Sequence, residues 1–105
     1  MKFKAFYNEQ YPHHPEPQPY LKPADEKLYN IIKEELREFT EHWLKANPID
    51  MERFAEDETY KREVFEKILL EYKEVHNYQL QPPFWALIGD WFWWFVQTIL
   101  ASLLG

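Results

Sequence analysis

FWALIGDWFWWFVQTILASLL, residues 84–104, is the stretch on which the fold turns. It carries ten Leu, Ile, Val and Phe residues, a single carboxylate at Asp90 and no cation. As a helix it would be about 31 Å long, against a bilayer hydrocarbon thickness of about 30 Å. On an insertion scale each of those apolar residues contributes about −0.5 kcal/mol and an aspartate about +3 kcal/mol, so the balance favours the bilayer. The expectation is a C-terminal membrane helix over 84–105, in an otherwise water-facing all-α chain.

Helical projection adds detail to that expectation. Ala86, Asp90, Trp94, Gln97 and Ala101 recur every three or four residues, with Gly89, Thr98 and Ser102 beside them. Polar groups in hydrocarbon turn toward protein or water, and small residues allow helices to approach closely. This stripe is therefore expected to meet other helices within the membrane, leaving Leu87, Ile88, Phe92, Phe95, Ile99 and Leu103 to meet lipid. Trp91, Trp93 and Trp94 fall near the middle of the run, whereas interfacial belts flank a span. Either the helix is surrounded by other helices, or the tryptophans mark the interface and only 95–104 dips into the acyl region. All 12 Lys and Arg residues lie at or before Lys73. The charge bias predicts a single-pass, tail-anchored chain with its N-terminal region on the cytoplasmic or matrix-like side.

Moving outward, Gln79-Leu-Gln-Pro-Pro83 is uncharged and its paired prolines stop any helix arriving from Tyr78, so 79–83 reads as a hinge. Residues 24–78 read as an amphipathic helical hairpin. Leu28, Ile31, Ile32, Leu36, Phe39 and Trp43 step by three or four along one stripe, with Leu44 beside it. Asp25 can cap the start, and Asn47-Pro48 ends the helix because the residue before proline avoids the α region. A second start is predicted at Asp50, with a kink or reset across Glu56-Asp57-Glu58-Thr59. Val64, Ile68, Tyr72 and Val75 then form one row, and Phe65, Leu69 and His76 its neighbour. Glu58 with Arg62, Glu63 with Lys67 and Glu41 with Lys45 are spaced for i,i+4 pairs. Two helices rarely make a core alone, so a third surface is required, from the arm, a second copy or a partner subunit.

Residues 1–23 hold Pro12, Pro15, Pro17, Pro19 and Pro23, a density that favours an extended polyproline path. Phe3, Phe6, Tyr7, Tyr11 and Tyr20 are more aromatic surface than a solvated linker needs, and a stiff arm loses little entropy on docking. They are the expected partner-docking residues. Pro12-His13-His14-Pro15 has PxxP spacing, a pattern that recurs by chance.

Composition excludes several classes. The formal net charge is −6 and cations are interleaved with carboxylates, so no basic face exists for nucleic acid. Without cysteine there is no thiolate catalysis, disulfide or thiolate-bound metal. Only Gly89 and Gly105 are glycine, which rules out a phosphate-binding loop, and Ser102 is the sole serine. Glu38 and His42 stand at i,i+4 with Glu35 a turn back, but a di-metal bundle needs Glu-x-x-His on two helices. No metal site, cofactor or catalytic residue is expected. The run 84–104 contains no histidine to ligate a haem.

The functional expectation is a non-catalytic, single-span accessory or structural subunit of a larger membrane complex. Its partners would be other membrane-complex subunits and the lipid bilayer, with a viral or phage structural protein bound to a virion membrane as the alternative.

Overall fold

A computed structural model describes residues 15–100. Among them the chain is all-α: α1 spans Pro23–Ala46, α2 Met51–Glu56, α3 Glu58–His76 and α4 Pro82–Trp94, and a π-helical turn, Phe95–Leu100, continues α4. Helices α1, α3 and α4 each pack against the other two, giving a three-helix bundle, while α2 folds onto α3.

The helix ends follow local chemistry. Pro23 opens α1, where its missing N–H costs nothing. Lys22, rather than Asp25, occupies the cap, and Asp25 with Glu26 faces the positive end of the helix from within the first turn. Asn47 closes α1, its backbone N–H donating to the Trp43 carbonyl. Asp50 caps α2 by accepting from the Arg53 N–H at 3.1 Å. Asp57 caps α3 by accepting from the N–H groups of Thr59 (2.9 Å) and Tyr60 (3.1 Å). These bonds and the Arg53 guanidinium hold the Asp57 carboxyl below its usual range, the Tyr60 N–H contributing most. At the far end of α3, Asn77 takes the left-handed conformation (φ 48°) that asparagine tolerates better than most residues.

The core joins all three long helices. Ile32 and Leu36 of α1, Phe54 of α2, Ile68 and Tyr72 of α3, and Ile88, Phe92 and Val96 of the C-terminal helix are fully buried. Phe65 stacks on Phe92 at 5.5 Å and meets Trp93 edge-on at 5.1 Å. Arg62 lays its guanidinium over both Phe65 (4.8 Å) and Trp93 (4.7 Å), closing the rim of that cluster. In place of the expected Glu58–Arg62 pair, Glu58 receives Lys61 at 3.2 Å.

The C-terminal stretch departs from expectation. No helix among the described residues is long and apolar enough to cross a membrane. The α-helical part begins at Pro82 and ends at Trp94, so the two prolines start α4 and the hinge shifts two residues earlier, to residues 77–81. The exposed and buried positions are also distributed otherwise than expected. Ile88, Phe92 and Phe95, assigned to lipid from sequence, are buried against α1 and α3, while Ala86 and Asp90 are exposed. The third surface demanded by the α1–α3 pair is thus α4 itself. Its hydrophobicity is spent inside the bundle, because each apolar side chain removed from water against protein contributes about 1.5–3 kcal/mol.

Candidate functional site

Three polar or concave features stand out on this bundle. The first ties the loop after α3 to α1. Tyr72 and Tyr78 both donate their hydroxyls to Glu35 Oε1, at 2.8 and 2.7 Å. His76 Nδ1 lies 3.9 Å from the same oxygen, with its ring 4.4 Å from Tyr72 and parallel to Tyr78 at 6.0 Å. Burial, then the bond to Glu35, pushes the Tyr72 hydroxyl pKa up; the Glu35 bond, then burial, raises that of Tyr78. Glu35 thereby loses acceptor capacity to two phenols. The cluster serves to fix the 77–81 loop and the start of α4.

The second feature anchors the segment before α1. Glu16 Oε2 accepts from Lys33 Nζ at 3.1 Å and from Trp91 Nε1 at 3.0 Å. Lys33 in turn sits over the rings of Tyr29 (5.1 Å) and Trp91 (5.6 Å). Residues 15–22 therefore run back along α1, with Leu21 packed on the core. The Tyr29 hydroxyl is buried with no hydrogen-bond partner among the described residues. Burial, followed by the nearby Glu16 and Asp90 carboxylates, pushes its pKa up to about 12.

The third feature is a cleft of about 500 Å³ between the second half of α1 and the π turn. Leu44, Phe95, Ile99 and Leu100 form its apolar floor together with Thr40, whose hydroxyl is spent on the Leu36 carbonyl at 2.7 Å. Glu34, Arg37, Glu38 and Glu41 form its rim, with Arg37 engaged by Glu34 at 3.4 Å. A smaller, almost wholly apolar notch lined by Leu44, Ile49 and Met51 adjoins it at the end of α1. Leu44 is common to both, so the apolar surface continues around the α1–α2 turn. The π turn shapes this cleft: its wider winding keeps Phe95 and Leu100 on the inner side, where an uninterrupted α-helix would rotate them differently.

The residues singled out from sequence are only partly gathered by the fold. Ala86 and Asp90 are exposed, Trp94 and Gln97 are half-buried, and Ala101 lies outside the described residues. Of the expected docking aromatics, Tyr20 is fully exposed, while Phe3, Phe6, Tyr7 and Tyr11 lie outside the described residues. Glu38 lines the cleft, His42 is exposed one step beyond it, and Glu35 faces the tyrosines instead. Sequence reasoning missed the cleft itself. Its signal was present in Glu34, Glu38 and Glu41 at i, i+4 and i+7, a row of carboxylates beside Leu44 that shares one side of α1.

Compared with protein-family models, with curated proteins and with solved structures, the chain gives no match in any of the three.

Proposed function

We propose that this chain is a non-catalytic accessory subunit that braces a neighbouring protein, with the cleft between α1 and the π turn as its docking surface. The observation that carries the reading is the pairing of an apolar floor with a rim of three glutamates and one already engaged arginine. Such a surface suits a segment with apolar anchors flanked by cations: the floor supplies affinity by excluding water and the rim supplies orientation and selectivity. Glu16, Glu35 and Glu71, by contrast, are each held by Trp N–H or Tyr hydroxyl donors within the bundle, so those carboxylates serve its structure. A span is no part of the proposal, as the apolar residues it would need are engaged in the core.

Native mass spectrometry of the tagged full chain drawn from its own cells tests this. The expected result is a stoichiometric complex that Leu44→Asp and Ile99→Asp each dissolve while far-UV circular dichroism is unchanged. Both side chains are only half-buried, so the bundle tolerates their loss. A chain that stays alone, or a complex indifferent to both substitutions, overturns the proposal.

A further inference from the structure

The cluster that pins the loop after α3 has a second capacity. Tyr72 and His76 stand at i,i+4 near the end of α3 and so share a face. Asn77 then turns the chain through its left-handed conformation, and Tyr78 returns to reach the same Glu35 oxygen that Tyr72 holds. Glu35, which the sequence groups with Glu38 and His42, is met in the fold by His76 instead. Among the described residues no group of three His, Asp or Glu side chains is placed to hold a metal ion. Here two phenols supply the remaining donors.

The four donor atoms are spaced as ligands around a small cation are. A cation held at about 2.0 Å by each ligand sets neighbours at right angles about 2.8 Å apart and opposite ligands about 4 Å apart. Glu35 Oε1 lies 2.8 Å from the Tyr72 hydroxyl and 2.7 Å from that of Tyr78, and 3.9 Å from His76 Nδ1. The phenols thus occupy neighbouring positions to the carboxylate and the imidazole the opposite one.

Charge narrows the choice of ion. Two phenolates and a carboxylate carry three negative charges, and a neutral imidazole adds none, so a trivalent cation balances the set. A divalent ion leaves net charge beside the rings of Phe39 and Trp85, which meet Tyr72 edge-on at 5.7 and 6.5 Å. Oxygen donors suit hard ions, and imidazole suits iron. Ligation also has to remove two phenolic protons, held at Tyr72 chiefly by burial and at Tyr78 chiefly by the Glu35 bond. A bound cation of high charge reverses that preference.

We propose that Glu35, Tyr72, His76 and Tyr78 form a binding site for ferric iron. The ion replaces the two phenolic protons, which pass to water, and its oxidation state does not change. Entry is from the open side, where the side chains of Glu35 and His76 are 36 % and 31 % exposed. The donors come from α1, from α3 and from the loop leading to α4, so the bound ion ties three parts of the bundle together and stabilises the folded chain according to its occupancy. The site is independent of the docking cleft, which uses the Glu34, Glu38 and Glu41 side of α1.

The test titrates the full chain with ferric nitrilotriacetate and, separately, with Zn²⁺ and Mg²⁺. Ferric iron should produce a visible phenolate-to-iron charge-transfer band that saturates at one equivalent, together with a raised urea midpoint; the divalent ions should give a smaller rise or none. Tyr72→Phe and Tyr78→Phe should each weaken the band and together abolish it, and His76→Leu should weaken binding, while Tyr20→Phe, at an exposed position, leaves the band unchanged. Both phenol variants keep their rings, and if far-UV circular dichroism shows that Tyr72→Phe loses helix, Tyr78→Phe decides alone. Absence of the band, a band indifferent to Tyr78→Phe, or an equal rise in midpoint with Zn²⁺ overturns the proposal.

Discussion

Replacing Phe92 by alanine separates a bundle helix from a lipid-facing one. The Phe92 side chain is fully buried, stacked 5.5 Å from Phe65 and 6.1 Å from Phe95, and alongside Trp91 at 6.3 Å. Its truncation removes a stacked ring contact between α3 and α4 and opens a cavity that the neighbouring rings cannot readily fill. Such changes cost about 3–5 kcal/mol, a large part of the roughly 5–15 kcal/mol that holds a domain folded. With a urea dependence of about 2 kcal/mol/M, the unfolding midpoint should fall by about 2 M. Tryptophan fluorescence reports it, since Trp91 and Trp93 flank the site. Asp90→Leu is the control: Asp90 is exposed, and the change should stay within about 0.5 kcal/mol. If Phe92→Ala leaves the midpoint within about 0.3 M of the parent while Asp90→Leu lowers it, the packing assigned to α4 is wrong.

Gly89 lies inside α4 with no positive φ, and an added Cβ would meet only Leu69 Cδ2 at 3.9 Å, an ordinary contact. Gly89→Ala should therefore stabilise the chain by about 0.5–1 kcal/mol, read as a raised urea midpoint. Glu35→Gln should destabilise it by about 1–3 kcal/mol, because two phenols lose a charged acceptor; unchanged stability would mean the loop after α3 is held otherwise. Tyr29, Tyr72 and Tyr78 all have raised pKa values. The folded chain then keeps protons that the unfolded chain releases from about pH 10, so stability is intact below that pH and declines above it, through about 12 for Tyr29. Denaturation midpoints at stepped alkaline pH, with phenolate absorbance, check the sign. Asp57 works oppositely: its lowered pKa makes its contribution present at neutral pH and lost as acidity rises below about pH 4, a loss that Asp57→Ala should abolish.

Local chemistry made α1 to α3 legible from sequence. Ile32, Leu36 and Trp43 are buried as their spacing requires, and so are Val64, Ile68 and Tyr72. Ile31 and Val75, at the edges of their stripes, are exposed, since period alone does not say how wide the covering surface is. The helix start at Asp50 and a kink or reset within Glu56–Thr59 were readable because a cap is a bond between near neighbours, while the cap at Asp57 itself is seen only in the structure. The C-terminal helix departs from expectation for the converse reason. A sum of transfer energies over 84–104 rewards burial without stating whether lipid or protein provides it, and Phe65 and Ile68, the side chains that do, lie in another helix. The polar anchors were beyond reach for the same cause: Glu16 with Trp91, Glu35 with Tyr78 and Trp43 with Glu71 join residues distant in sequence. The cleft depends on the π turn, which no periodicity announces.

That turn also makes the chain tolerant of length changes at one place. A π turn is one residue more than α-helical winding would hold, so Phe95–Leu100 contains slack in the form of a single surplus residue. Deleting one residue there would let the helix continue as α, and because four α steps of about 100° turn the chain nearly as far as the five wider steps they replace, Leu100 would keep its side of the helix. Leu100 would stay at the cleft floor, and Ile88 and Phe92, upstream, would keep their places in the core. Variants one residue shorter at this position would therefore share one bundle and one docking face.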